Sequence, residues 1–216
     1  MDERSGSRKQ YAYEQIRRMI ETGQIEYDAP LVERVLCEKL GMSRTPVREA
    51  LRELVSDGLL EQVDGKGVYL KRISFRALIE LYELREALER MAVRLFVERI
   101  DEEHLESLRQ CMEKLQEAYD AGANSDFMKQ GLQMHLMIAE GSRNQRLAEM
   151  IRGIYGQISQ IAFSSKDNQH MRDAAILYHQ RIYEAVRKGD PEEAQEAIVH
   201  HIVELKEFFK ERYYII

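Results

Sequence analysis

The feature that most restricts the fold is a succession of long segments with helical periodicity after residue 72. Apolar residues recur in each segment every three or four positions, which gives each helix one apolar face. Ser74, Asp101 and Asp190 stand where N-caps are expected, and Pro191 suits the first turn of the last helix. The spacing predicts six helices, over residues 74–98, 101–121, 126–140, 144–163, 171–188 and 191–212. Helices joined by such short turns form an antiparallel bundle.

The first 72 residues contain shorter helical segments and a glycine-rich hairpin. Apolar spacing predicts helices over residues 11–22, 31–40 and 43–55, with a tight turn before the third. Residues 60–70 alternate weakly around Asp64-Gly65-Lys66-Gly67, a pattern typical of a β-hairpin. Three helices and a hairpin are the elements of a winged helix-turn-helix. We therefore predict a mainly α chain, with a winged helix-turn-helix domain at residues 1–72 and an antiparallel all-α helical bundle at residues 73–216.

The charge of the chain is unevenly distributed. Its 216 residues carry a formal net charge of -6, from 32 Lys and Arg against 38 Asp and Glu, but the first 72 residues are neutral, with 13 of each kind. This charge argues against a protein that coats DNA or membrane by charge alone, and it is compatible with a local basic surface. No apolar run is long enough to span a bilayer, and no signal peptide is recognisable. Cys37 and Cys111 show no pairing pattern, so we expect a reduced, cytoplasmic protein with no membrane partner.

The third predicted helix has its arginines at one end. An inward apolar stripe from Val47 to Leu54 leaves Arg44, Thr45 and Arg48 pointing outward at the helix N-terminus. Free backbone N–H groups and the helix dipole favour phosphate there, and an arginine can bind guanine O6 and N7 bidentately. A single exposed arginine more often only solvates a helix. Several of them at the end that a helix-turn-helix inserts into a groove favour DNA binding.

The run from Ser43 to Leu51, SRTPVREAL, resembles the DNA-binding signature of the GntR family of bacterial transcription regulators. The resemblance covers residues 11–72 and includes Leu40-Gly41 and the wing glycines Gly65 and Gly67. It implies three arginines as the main DNA contacts, two hydroxyls that touch phosphates, and a wing lysine that enters the minor groove. The arginines are Arg34, Arg44 and Arg48. The hydroxyls belong to Ser43 and Thr45, and the wing lysine is Lys66.

Three of the six histidines fall on the apolar stripes of different predicted helices: His135, His179 and His201. Arg85 lies in the apolar stripe of the first long helix, and a buried guanidinium requires an anion. A single inward histidine is more often a hydrogen-bonded core residue than a metal ligand. Three of them together with a buried arginine favour a pocket for a metal and a carboxylate. Arg85 would then bind the carboxylate of an effector in a bidentate manner.

Residues 74–212 resemble the FCD ligand-binding domain of the FadR-like subfamily, through Leu84-Arg85-Glu86-Ala87-Leu88-Glu89 and the surroundings of the three histidines. In metal-binding members the ligands are three His and an Asp four residues before the first. The resemblance implies that His135, His179 and His201 bind a divalent transition metal, Zn or Ni, but the Asp position is Gly131. This departure leaves three alternatives: a three-His site completed by water or effector, a weaker site, or no metal.

These observations predict a DNA-binding transcription regulator, a repressor that binds a pseudo-palindromic operator as a homodimer. A small carboxylic acid bound in the helical domain, with or without the metal, would control its operator affinity. We expect no enzymatic activity. Two alternatives stay open: a metal-dependent enzyme that uses the three-His centre, and a DNA-binding protein that responds to no ligand.

Overall fold

The structure, a computed structural model, describes residues 3–21, 24–25 and 29–213. The chain divides into two compact units, Met1–Ile73 and Ser74–Ile216. Each unit has its own secondary structure and its own core.

In its described residues, the first unit contains three helices followed by a two-stranded hairpin. They are α1 (Glu3–Glu21), α2 (Glu33–Leu40), α3 (Arg44–Ser56), β1 (Leu60–Val63) and β2 (Gly67–Leu70). Helix α1 begins well before the predicted start at residue 11, because its first residues are polar and give no apolar periodicity; its predicted end, Thr22, lies outside the described residues. The strands pair antiparallel from Leu60 opposite Leu70 to Val63 opposite Gly67.

The core of the first unit joins all three helices to the hairpin. Ile16 of α1 and Leu54 of α3 are fully buried, and Leu36 of α2 and Leu60 of β1 pack into the same cluster. The inward stripe predicted for the third helix is therefore the stripe that is buried. This packing holds the N-terminus of α3 at the surface of the unit.

The second unit contains six helices in its described residues. They are α4 (Phe75–Arg99), α5 (Glu102–Asp120), α6 (Asn124–Gly141), α7 (Gln145–Ser164), α8 (Gln169–Lys188) and α9 (Pro191–Tyr213). Helix α4 packs against α6, α7 and α9, while α5 packs against α6 and α8. The predicted order of a winged helix-turn-helix and then a helical bundle is confirmed.

Side-chain caps are present at the three helix starts predicted from Ser74, Asp101 and Asp190. Ser74 Oγ accepts a hydrogen bond from the Ala77 amide at 3.2 Å, and Asp101 Oδ1 accepts one from the His104 amide at 3.0 Å. Asp190 Oδ1 accepts one from the third residue of α9 at 2.9 Å. Each cap satisfies an amide that has no partner within its own helix, so the predicted starts agree with the structure to within one residue.

Candidate functional site

The N-terminus of α3 is a polar, exposed end. Arg44, Thr45 and Arg48 are exposed, whereas Val47 between them is fully buried. Ser43 occupies the N-cap with an extended backbone, and its side chain makes no capping hydrogen bond. The hydroxyl of Ser43 therefore leaves the first amides of α3 to another acceptor, and a phosphate oxygen suits them.

Two of the arginines predicted to contact DNA are paired with glutamates. Arg48 donates from Nε and Nη2 to both carboxylate oxygens of Glu33, at 3.0 and 2.9 Å, and Arg34 donates from Nη1 to Glu38 at 2.6 Å. The hydrogen bond from Arg48 lowers the pKa of Glu33. Ion pairs at the surface contribute at most about 1 kcal/mol. A bidentate contact to guanine is worth about 1–3 kcal/mol, so it can replace the pair between Arg48 and Glu33.

Lys66 is exposed at the tip of the hairpin, between β1 and β2. Its backbone N–H donates to the carbonyl of Val63 at 3.0 Å, and Gly65 before it has a φ of +69°. The left-handed backbone at Gly65 allows the tight turn that presents the lysine. All six residues predicted to contact DNA thus lie at the surface of the first unit.

Three buried histidines from three helices meet inside the second unit. His135 comes from α6, His179 from α8 and His201 from α9. One ring nitrogen of each histidine lies within 4.8 Å of the corresponding nitrogens of the other two. The rings of His135 and His201 stack with centroids 5.1 Å apart, and the centroid of His179 lies 4.5 Å from that of His201. The structure therefore brings together the three histidines that the sequence placed on inward faces.

A hydrogen bond to the backbone orients one of these rings. His179 Nδ1 lies 2.6 Å from the carbonyl oxygen of Ala175 and donates to it, which leaves Nε2 as the unprotonated nitrogen. This Nε2 is buried and has no hydrogen-bond partner among the described residues. Burial and the neighbouring His135 lower the pKa of His179 to about 3, and burial and the other two histidines lower the pKa of His201 well below its usual value. Both rings are neutral at neutral pH, the form that binds a metal.

A buried glutamate, Glu89, connects His135 to the rest of the core. Its Oε2 lies 2.6 Å from His135 Nδ1, and its Oε1 accepts from Arg85 Nε at 2.8 Å and from the Tyr155 hydroxyl at 2.9 Å. Burial raises the pKa of Glu89, but the interactions with His135 and Arg85 outweigh burial and lower it to about 2. An ionised carboxylate can only accept hydrogen bonds, so His135 donates from Nδ1 and keeps Nε2 as its ligand atom.

Glu89 supplies the anion that a buried Arg85 requires, and sequence reasoning did not identify it. The two residues are separated by one helical turn of α4, and Arg85 Nη2 also donates to the Tyr155 hydroxyl at 2.6 Å. The spacing of four residues on one stripe was the available signal. Arg85 also lines a cavity beside the histidines. Its contact with an effector stays a prediction.

A cavity of about 70 Å³ lies beside the histidine cluster. Its walls are mostly apolar and include Phe127, Ile158, Ala162, Met171 and Phe209. Ser159 also lines the cavity. Its Oγ is buried and has no hydrogen-bond partner among the described residues. His179 also lines the cavity, so His179 Nε2 and Ser159 Oγ are both available to polar atoms of a ligand.

The histidine cluster fits a divalent transition metal. Three imidazoles provide the nitrogen donors that Zn and Ni accept, and the carboxylate of Glu89 orients one of them as a second-layer partner. A metal would also satisfy the unpartnered Nε2 of His179. Position 131, where the resemblance places an aspartate ligand, faces His179 Nε2 but carries a glycine.

A winged helix-turn-helix followed by a helical unit with a buried histidine cluster beside a cavity defines a class of DNA-binding transcription regulators. Residues 8–70 match the family described as bacterial regulatory proteins, gntR family, and residues 80–204 match the FCD domain. The chain belongs to the GntR family of bacterial transcription regulators, with an FCD domain as its second unit.

Known relatives extend over most of the chain. It is 28% identical over 190 residues to the HTH-type transcriptional regulator YdhC of Bacillus subtilis, which covers 88% of this chain and 85% of that protein. It is 31% identical over 183 residues to a probable D-xylose utilization operon transcriptional repressor of Paenarthrobacter nicotinovorans, covering 85% of this chain and 80% of that protein. Among solved structures, Escherichia coli McbR/YncC superposes with a TM-score of 0.86 and 25% identity, covering 95% of this chain and 98% of that one. No described helix of this chain is both long and apolar enough to cross a membrane.

Proposed function

We propose that the chain is a ligand-responsive repressor that binds a pseudo-palindromic operator as a homodimer and is controlled by a small carboxylic acid in the FCD domain. The observation that carries the proposal is the buried three-histidine cluster beside a cavity with two unpartnered polar atoms. The name of the relative from Paenarthrobacter nicotinovorans supports repression.

The DNA contacts follow from the exposed end of α3 and from the wing. In this proposal Arg44 and Arg48 enter a major groove, where Arg48 exchanges its pair with Glu33 for a base; both side chains are exposed, which supports this assignment. The other predicted contacts are Arg34 as a further arginine, Ser43 and Thr45 at phosphates, and Lys66 in the minor groove. Phosphate contacts give affinity, and the arginines at base edges give sequence discrimination.

A homodimer would place two heads on two half-sites about one helical turn of DNA apart. Helices α4 and α7 each expose large apolar side chains: Leu84 is 51% and Met91 43% exposed on α4, and Met150 is 55% exposed on α7. Exposed apolar residues on neighbouring helices suit an interface between two copies of the chain. We assign the dimer contact to these two helices.

The cavity favours sensing over catalysis. Zn or Ni held by the three histidines would attract a carboxylate as a Lewis acid. Arg85 and Ser159 also line the cavity and would donate hydrogen bonds to that carboxylate. The described residues that line the cavity include no carboxylate that could act as a general base. The enzyme alternative would also leave the DNA-binding head without a role.

Operator binding tests the head. With genomic fragments selected by the purified full chain, replacement of Arg44 and Arg48 by alanine should abolish specific binding while leaving the thermal melt unchanged. Lys188→Ala, on an exposed part of α8, is the matched control that should retain binding. Specific binding by the double variant would overturn the assignment.

Effector binding tests the cavity. Short carboxylic acids should raise the melting temperature of the zinc-loaded protein, and Ser159→Ala should lower the affinity for the acid, read from the concentration dependence of that rise, about threefold to tenfold, as the loss of one hydrogen bond implies. A protein that takes up no metal and is stabilised by no acid would instead be a regulator without a ligand.

A further inference from the structure

The three histidines of the cluster lie away from solvent. His135, His179 and His201 are each at most 4% exposed, and the cavity of about 70 Å³ beside them has mostly apolar walls. A divalent cation loses its water molecules at a large cost in free energy when it moves into apolar surroundings. Polar groups along the way lower this cost, so a metal needs a polar path to reach the cluster.

A second cavity, of about 150 Å³, lies between α8 and α9, and we call it the α8–α9 cavity. It shares Met171, Ala175, His201 and Leu205 with the smaller cavity, so the two cavities are neighbours. His201 is the member of the histidine cluster that lines both. It makes ring contacts and no hydrogen bond to the described residues. An imidazole that is 3% exposed is therefore available to a ligand in the α8–α9 cavity.

The lining of the α8–α9 cavity carries negative charge. Among the described residues it includes no lysine or arginine and three glutamates of α9, which are Glu204, Glu207 and Glu211. Glu207 pairs with Lys210 at 2.7 Å, whereas Glu204 and Glu211 are exposed and have no ion pair among the described residues. Arg212 lies against the ring of Phe208 and is not part of the lining. A cleft lined by charge of one sign beside apolar protein focuses the electric field and concentrates the opposite ion. The described lining of the smaller cavity includes no Asp or Glu, so of the two cavities it is the α8–α9 cavity that attracts a cation.

Tyr178 of α8 connects the α8–α9 cavity to an open groove at the surface. Tyr178, Ala174 and Glu204 line both the cavity and the groove. The ring centroid of Tyr178 lies 6.0 Å from that of His201. The face of a tyrosine ring attracts a cation within about 6 Å. A carboxylate, a phenol ring and an imidazole therefore follow one another from the surface to the histidine cluster.

We propose that the α8–α9 cavity is the path by which a divalent cation reaches the histidine cluster. Glu204 and Glu211 attract the cation at the surface, and His201 is the first of the three histidines that it contacts. This inference rests on the proposed metal site of the FCD domain. It adds the route to that site and assigns a function to residues outside the cluster.

Association kinetics test the two charges. A stopped-flow measurement mixes zinc and a fluorescent zinc indicator with the metal-free full chain and follows the fall in free zinc. Glu204→Gln together with Glu211→Gln should slow association about tenfold at low ionic strength, the lower end of the roughly 10–10³-fold effect of such focusing. The difference from the wild type should shrink as added salt screens the two charges.

Glu192→Gln together with Glu196→Gln is the matched control. It removes two exposed charges from the same helix, and neither residue lines the α8–α9 cavity. The net charge of the chain changes by the same amount, so the control should slow association far less. Far-ultraviolet circular dichroism and a thermal melt verify that each variant folds.

A substitution that narrows the path without changing charge tests the route itself. Ala174 is partly exposed and lines both the cavity and the groove, so a leucine there should obstruct the passage. Transfer of zinc from the loaded protein to excess chelator gives the dissociation rate. For Ala174→Leu, association and dissociation should slow by the same factor, at least about threefold, because a higher barrier affects both directions equally. The zinc affinity should stay the same, since the path does not change the free energies of its two end states.

The inference requires both results. If the variant with Glu204→Gln and Glu211→Gln takes up zinc no more slowly than the control, the two charges do not attract the cation and the inference is wrong. If Ala174→Leu changes neither rate, the cation takes another path, and the inference is again wrong although the metal site stands. If the wild type binds no zinc in any condition, the proposed metal site is overturned together with the route.

Discussion

Replacement of Glu89 by glutamine tests the buried network that holds the histidine cluster. Glu89 is 1% exposed and Arg85 is 3% exposed, so the substitution leaves a buried guanidinium without its anion. Breaking a buried ion pair by removing one partner costs about 3–5 kcal/mol. The glutamine oxygen can keep the hydrogen bonds from Arg85 and Tyr155, so we expect the lower end, about 3 kcal/mol, in urea unfolding of the metal-free protein.

The same substitution changes the protonation of His135. The glutamine NH₂ group would face Nδ1 in place of the accepting oxygen at 2.6 Å, so Nδ1 must become an acceptor and the proton moves to Nε2. The ring then loses the lone pair that serves as a ligand. Zinc affinity should fall about 10–100-fold, the usual loss when a second-layer partner of a metal ligand is removed.

A double variant separates these two effects. Arg85→Met with Glu89→Gln removes both charges, so most of the lost stability should return. Zinc affinity should stay low, because His135 still lacks its accepting oxygen. If the free energy of unfolding of Glu89→Gln lies within about 1 kcal/mol of the wild-type value and the zinc affinity is unchanged, the reasoning is refuted.

Three further outcomes are expected. Lys66→Ala should weaken operator binding and reduce the slope of affinity against salt by about 1, as measured by fluorescence anisotropy; an unchanged affinity and slope would contradict a contact between Lys66 and DNA. The pKa values of His179 and His201 are lowered in the folded chain, so the unfolded chain binds more protons below about pH 6.5. The free energy of unfolding of the metal-free protein, measured in urea, should therefore fall by about 1 kcal/mol per histidine from pH 7.5 to 5.5. A rise in that free energy on acidification would contradict this. Leu84→Glu should shift the chain to monomer in light scattering, whereas the control Leu177→Glu, at a residue 61% exposed on α8, should not; a dimeric Leu84→Glu would place the interface elsewhere.

The helices could be predicted from the sequence because local signals determine them. The caps Ser74, Asp101 and Asp190 and the apolar stripes depend only on neighbours within a few residues, and the helix bounds of the second unit follow them closely. The early start of α1 was missed because the polar residues there carry no periodic signal. The three histidines were found for the same local reason, since each lies on the apolar stripe of its own helix.

Interactions between helices were not accessible in this way. Glu89 is a charged residue, and such residues are almost never fully buried unless paired, so its burial depends on Arg85, Tyr155 and His135 meeting in three dimensions. The pair between Arg48 and Glu33 joins α2 to α3, so it requires the crossing of two helices. Local periodicity gives the face of each residue but not its partner.

Helix α4 connects the cavity to the proposed dimer surface. On one side of α4, Glu89 contacts His135 and pairs with Arg85, while Leu84 and Met91 are exposed on another side of the same helix. Residues 71–74 alone separate β2 from the start of α4, so the wing is joined by a short segment to the helix that carries Arg85 and Glu89. A ligand can act only through its differential affinity for two conformations of the protein. A helix that lines the cavity and also forms the proposed dimer surface would allow such a difference to change the spacing of the two heads. The variant with Arg85→Met and Glu89→Gln should therefore bind the operator in gel shifts but lose the response to acid; a full response would show that neither side chain of α4 is needed to couple the cavity to the heads.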